Sequence, residues 1–171
     1  RILDLSVIDT LRLSPLAFPR YPYHRLVKHY KDGGLLRFNA NAPELDARIC
    51  LELFEDEEKA FHQLKEKNPG LLTAFHWLTS SGPDEVGFDR FFSMVRNAST
   101  PSDDEGRAAV ADCLASSACA NQGDKLLKQQ SSTGWPMAYA LAWLSVAGGN
   151  SVMPPWVRHE FPVAPRLVKR L

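Results

Sequence analysis

The sequence predicts a mainly α protein in which a short α/β segment precedes a small helical domain. Three observations carry that expectation. Apolar residues recur at helical spacing from Leu45 to Leu64 and again in several later stretches. The only short β-branched run with strand character is Leu5-Ser6-Val7-Ile8-Asp9, and Asn68-Pro69-Gly70 interrupts the chain between the two patterns. Composition agrees, because 44% of the 171 residues are hydrophobic and 20 Lys and Arg balance 20 Asp and Glu, which suits a buried core and excludes overall disorder.

The elements follow in order. Leu5 to Asp9 reads as a mostly buried strand with Asp9 near its C-terminal end. Thr10 to Phe18 suggests a short helix, its length limited by Pro15, Pro19 and Pro22. From Tyr23 to Lys31 a second helix would turn Leu26, Val27 and Tyr30 to one side and Arg25, Lys28 and Lys31 to the other, before Gly33-Gly34 ends it. Asn41 is an N-cap candidate and Pro43 a first-turn proline, so a long helix is expected from there to about Lys67, with Leu45, Ile49, Leu53, Phe54, Phe61 and Leu64 along it. Beyond the break only helices are expected, at roughly 71–80, 87–97, 104–119, 123–130, 135–147 and 155–170, joined by connectors such as Ser80-Ser81-Gly82-Pro83 and Ser131-Ser132-Thr133-Gly134. The expected division is therefore 1–67 and 70–171.

Several function classes are set aside by the same reading. The longest apolar stretch, Trp135 to Gly149, has fifteen residues where a bilayer span needs about twenty, so no membrane partner is expected. Three cysteines without a Cys-x-x-Cys pair cannot close a disulfide framework or a four-Cys zinc site, and a reducing cytoplasm fits them best. Neither a Gly-x-x-x-x-Gly-Lys-Ser/Thr phosphate loop nor a Gly-x-Ser-x-Gly nucleophile elbow occurs. The first residue is Arg1, with no initiator Met and no signal-peptide layout, which suggests a piece of a longer protein.

Neutral overall charge hides segregation. Residues 1–31 carry a net +4, residues 43–58 a net −6 and the last twenty a net +3. The basic aromatic run from Arg20 to Lys31 is a nucleic-acid candidate: Arg20, Arg25, Lys28 and Lys31 could neutralise phosphates while Tyr21 or Tyr23 stacks on an exposed base. Arg166 and Lys169 offer a second basic group near the other end. An ordinary amphipathic helix with solvated cations accounts for the same run, and both readings stand at this point. The five histidines show no i, i+4 zinc pair, and Cys113 and Cys119 read as small core residues of an Ala/Ser-rich helix.

Longer motifs carry a family resemblance. Val7-Ile8-Asp9-Thr10-Leu11-Arg12-Leu13-Ser14-Pro15-Leu16-Ala17-Phe18-Pro19, then Pro22-Tyr23-His24-Arg25-Leu26-Val27-Lys28, then Asn41-x-Pro43-x-x-Asp46-Ala47-Arg48 resemble the N-terminal region of large bacterial RecQ-family ATP-dependent DNA helicases. Gly134-Trp135-Pro136-Met137-Ala138-Tyr139 and Gly148 to Val157 are similar to the helical stretch that follows in those proteins. The resemblance implies that residues 1–67 are the C-terminal part of a DnaQ-like (DEDD) exonuclease fold of the RNase H type, and that 70–171 form a helical domain linking to a downstream motor. Asp46 would then occupy the place of the last metal-binding carboxylate, in a pattern where a His normally stands at the Asn41 position to deprotonate the attacking water. Asn cannot act as that base. Asp46 is equally a carboxylate favouring the positive end of its own helix. The resemblance further implies DNA, single-stranded or forked, as partner, together with the rest of the same polypeptide. Mg²⁺ and ATP would serve the parent protein, with no cofactor held by this chain. The alternative from another class is a non-catalytic helical protein-interaction module that touches no nucleic acid.

Overall fold

The computed structural model describes residues 6–21, 24, 43–80, 82, 85–117 and 134–147. These residues hold six helices and no strand: α1 (Thr10–Ala17), α2 (Pro43–Lys67), α3 (Pro69–Thr79), α4 (Val86–Arg96), α5 (Asp103–Ser117) and α6 (Trp135–Ala147). The chain is mainly α. The helices expected over 23–31, 123–130 and 155–170 lie outside the described residues.

The strand expected over Leu5–Asp9 is a correction. Residues 6–9 are irregular, and Asp9 is instead the N-cap of α1, its Oδ1 accepting the Leu11 N–H at 2.9 Å. Val7 and Ile8 favour extended backbone, but a strand needs a ladder partner, and no described segment offers one. The segment lies against α4 instead. Ile8 packs on the core, and the Val7 carbonyl sits so close to Gly87 that a Cβ there would overlap it.

α2 begins with Pro43 and carries Glu44 and Asp46 in its first turn and Lys65 and Lys67 in its last, each charge matching the adjacent helix pole. It ends at Asn68, which starts the next helix at once: the Asn68 N–H donates to the Leu64 carbonyl at 2.7 Å, and its Oδ1 accepts the Leu71 N–H at 3.0 Å. Pro69 then opens α3. The break at Asn68-Pro69-Gly70 is thus a one-residue corner between helices.

α3 is apolar nearly all round and occupies the centre, packed against α2, α4, α5 and α6. Its buried Leu71, Leu72, Phe75 and Leu78 meet Phe61 from α2, Phe88, Phe91, Phe92 and Val95 from α4, Val110 and Leu114 from α5, and Met137, Ala138 and Leu141 from α6. Leu13 and Leu16 of α1 belong to the same core, which therefore draws side chains from both sides of the Asn68 corner.

Caps set the remaining ends. Asn97 takes the left-handed conformation (φ 55°) that closes α4, with its N–H donating to the Met94 carbonyl at 3.2 Å. Ser102 and Glu105 form a reciprocal capping box on α5, the Glu105 Oε2 accepting the Ser102 N–H at 2.8 Å.

Candidate functional site

Polar side chains buried in this helical body form three groups. The first ties α1 to α4 and α6. Arg12 reaches Glu85, just before α4, in a two-pronged contact (Nη2 to Oε1 2.8 Å, Nη1 to Oε2 3.3 Å), and its guanidinium lies over the Trp135 ring at 4.0 Å. Glu85 also accepts the Trp135 indole N–H at 3.0 Å, and the Tyr139 hydroxyl donates to the Arg12 carbonyl at 3.3 Å. A planar cation between a carboxylate and an indole face is well satisfied, so this group acts as a clamp between chain segments far apart in sequence.

The second group surrounds His76 of α3, which is 0% exposed. Its Nδ1 lies 2.7 Å from Arg96 Nη1 and its Nε2 lies 2.9 Å from Asp89 Oδ1, both partners on α4. Because a guanidinium only donates, Nδ1 accepts, and Nε2 carries the proton and donates to Asp89. Burial lowers the His76 pKa below its usual range, and the hydrogen bond it donates to Asp89 opposes that only in part. Asp89 also accepts from the Thr100 hydroxyl at 2.6 Å. Burial by itself would raise the Asp89 pKa, but the Thr100 and His76 hydrogen bonds outweigh it and hold the carboxyl low. With both ring nitrogens engaged, this imidazole locks α3 to α4 and presents no lone pair to a ligand.

The third is Glu57 alone, with the exposed Asp9 acting on it by charge. Glu57 of α2 is 0% exposed, and neither carboxyl oxygen has a hydrogen-bond partner. Burial, with Asp9 adding like charge, pushes its carboxyl up to about 8. Among the described residues no other carboxyl group has both oxygens buried without a hydrogen-bond partner.

The residues singled out from sequence fall as follows. Asp46 is half-buried in the first turn of α2. Arg20 and Tyr21 are exposed just past the end of α1, and the Tyr21 ring packs on Phe18 at 5.2 Å between centroids while remaining 41% exposed. Tyr23, Arg25, Lys28, Lys31, Arg166 and Lys169, and the Asn41 position, lie outside the described residues. His24, within the basic run, instead packs against Ser14, whose hydroxyl is 3.1 Å from Nδ1. Among the described residues no group of three or more His, Cys, Asp or Glu side chains is placed to hold a metal ion. A hard cation needs several oxygen ligands at once, so Asp46 and its described surroundings do not complete a Mg²⁺ site. Also among the described residues, no helix is long and apolar enough to cross a membrane.

Glu85, Asp89, Arg96 and Glu57 were not singled out from the sequence. The available signal was register: Glu57 stands three residues after Phe54 and four before Phe61, and His76 lies inside the apolar run of α3. Compared with known proteins, the chain matches no family model, no curated protein and no solved structure.

Proposed function

We propose that this chain is a non-motor portion of a RecQ-like ATP-dependent DNA helicase, a helical body that positions DNA or couples an exonuclease-like part to the motor. The sequence motifs support the family reading. The observation that carries the DNA contact is at the exit of α1: Arg20 and Tyr21 are exposed side by side, with the tyrosine ring backed by Phe18. A cation for a phosphate next to a supported aromatic face is the pair of elements that single-strand binding uses. From there the chain continues into the basic run with Tyr23, Arg25, Lys28 and Lys31, and Arg166 and Lys169 supply the second basic group of the proposed contact. The acidic face of α2 repels phosphate and takes no part in it.

Binding of a labelled single-stranded oligonucleotide, followed by anisotropy over a salt series, tests this. Each phosphate neutralised steepens the logarithmic salt slope by somewhat under one unit for a single strand. Replacing Arg25 and Lys28 together by Ala should weaken binding and flatten the slope by about 1.4 units. If that variant and Arg166→Ala with Lys169→Ala both bind like the parent at every salt concentration, the DNA reading fails and a protein-interaction module replaces it.

A further inference from the structure

Glu57 lies on the inward face of α2, one turn from Phe54 and one turn from Phe61. Both of those rings contact Phe91 of α4, each at 5.5 Å between centroids. The carboxyl is buried on the face that carries these rings, with both oxygens unpartnered. An ionised carboxylate so placed gives up its hydration and gains nothing in return.

The charged groups on the elements packed around α2 do not relieve it. On α3, His76 is bonded at both nitrogens, and on α4 Asp89 and Arg96 are committed to it while Arg90 is exposed. On α1, Arg12 is committed to Glu85, and the nearby His24 is paired with Ser14. Asp9, at the start of α1, is the group whose charge acts on Glu57, and it acts unfavourably.

α1 is the element with most to lose from that repulsion. It is eight residues long, contains Pro15, and is held by docking more than by its own helix propensity. Its first residue touches α2 two turns before Glu57, with Thr10 Oγ1 3.6 Å from Cys50 Sγ.

We propose that Glu57 makes the seating of α1 on α2 dependent on a proton: with the carboxyl neutral α1 stays docked, and its ionisation beside Asp9 releases α1 and residues 6–9 from the helical body. The sign follows from linkage. In the released state the carboxyl meets water and titrates near 4.5, whereas docked it titrates near 8. Between those values the docked state keeps a proton that the released state has lost. Docking is therefore strongest at the acid end, weakens about tenfold per pH unit as pH rises through this window, and levels off above it.

Hydrogen exchange read by mass spectrometry over that window tests the proposal on the intact chain. Protection in α1, corrected for the chemical exchange rate at each pH, should fall about tenfold per unit while protection in α5 holds. Glu57→Gln should make the α1 profile flat, and Asp9→Asn should move the levelling-off to lower pH. Carbon NMR of the Glu57 carboxyl in the unaltered protein should give a midpoint well above the ordinary glutamate range, which keeps the idea testable if Glu57→Gln does not fold. An α1 protection that ignores pH, a slope that survives Glu57→Gln, an ordinary carboxyl midpoint, or an equal fall across α1, α3 and α5 would each overturn it.

Discussion

Gly106→Ala sets two magnitudes against each other. Gly106 lies inside α5, where alanine is favoured over glycine by about 1 kcal/mol, so helix propensity alone predicts a more stable protein. The structure predicts the opposite. The Trp77 ring of α3 lies directly on Gly106, so a Cβ there would overlap the indole Cγ, Cδ1 and Cδ2 atoms. The overlap is with a bulky ring, so α3 and α5 must part or Trp77 must swing away. Swinging away breaks the hydrogen bond from the indole N–H to Asp103 Oδ1 at 3.1 Å and the approach of Arg107 over the ring at 5.6 Å. Overpacking of this kind costs about 1–3 kcal/mol and the hydrogen bond about 1 kcal/mol, which leaves a net loss of about 1–3 kcal/mol after the propensity gain. Urea unfolding followed by circular dichroism measures it. Gly70→Ala is the control, since the nearest atom to its added Cβ is Asn68 Oδ1 at 3.6 Å and no loss is expected. A Gly106→Ala protein as stable as the parent would refute the packing argument.

Two further outcomes follow from the polar groups. Glu85→Ala strips Arg12 of its carboxylate and Trp135 of its acceptor; because the pair is partly open to water the loss should be about 1–3 kcal/mol, with Glu85→Gln losing less, as read by denaturant midpoints. His76 titrates below its ordinary value in the folded state, so the unfolded chain takes up the proton first; the stability this contributes is complete above about pH 6.5 and is lost as pH falls below that toward the folded value, and His76→Gln should flatten that part of the stability–pH curve.

Helices with strong apolar registers and clear end signals were legible in the sequence. Pro43 and Lys67 bound α2 where expected, Trp135–Ala147 matches the expected span of α6, α4 starts one residue earlier than expected, and α3 and α5 start one or two residues earlier because caps at Asn68 and Ser102 precede the first apolar position. The Leu5–Asp9 strand was misread because β-branched residues report extended backbone and say nothing about a ladder partner. The buried polar groups were invisible for a different reason. Glu57 stands in a run of carboxylates whose neighbours are exposed or half-buried, and only its register with Phe54 and Phe61 distinguishes it. The His76 bracket needs Asp89 and Arg96 brought across from another helix, which no local pattern encodes.

The clamp between α1 and α6 also bears on how the chain is made. The Tyr139 hydroxyl and the Arg12 carbonyl are 127 residues apart. At about 5–20 residues per second of synthesis, α1 waits roughly 6–25 s before α6 has even been polymerised, and longer until it clears the ribosome. Throughout that interval Leu13 and Leu16 lack the α6 surface that later helps to cover them, although α2 becomes available to receive them once Lys67 has been added. The nascent protein thus passes through a stage with an open apolar seam, and among the described helices α6 is the last to be made.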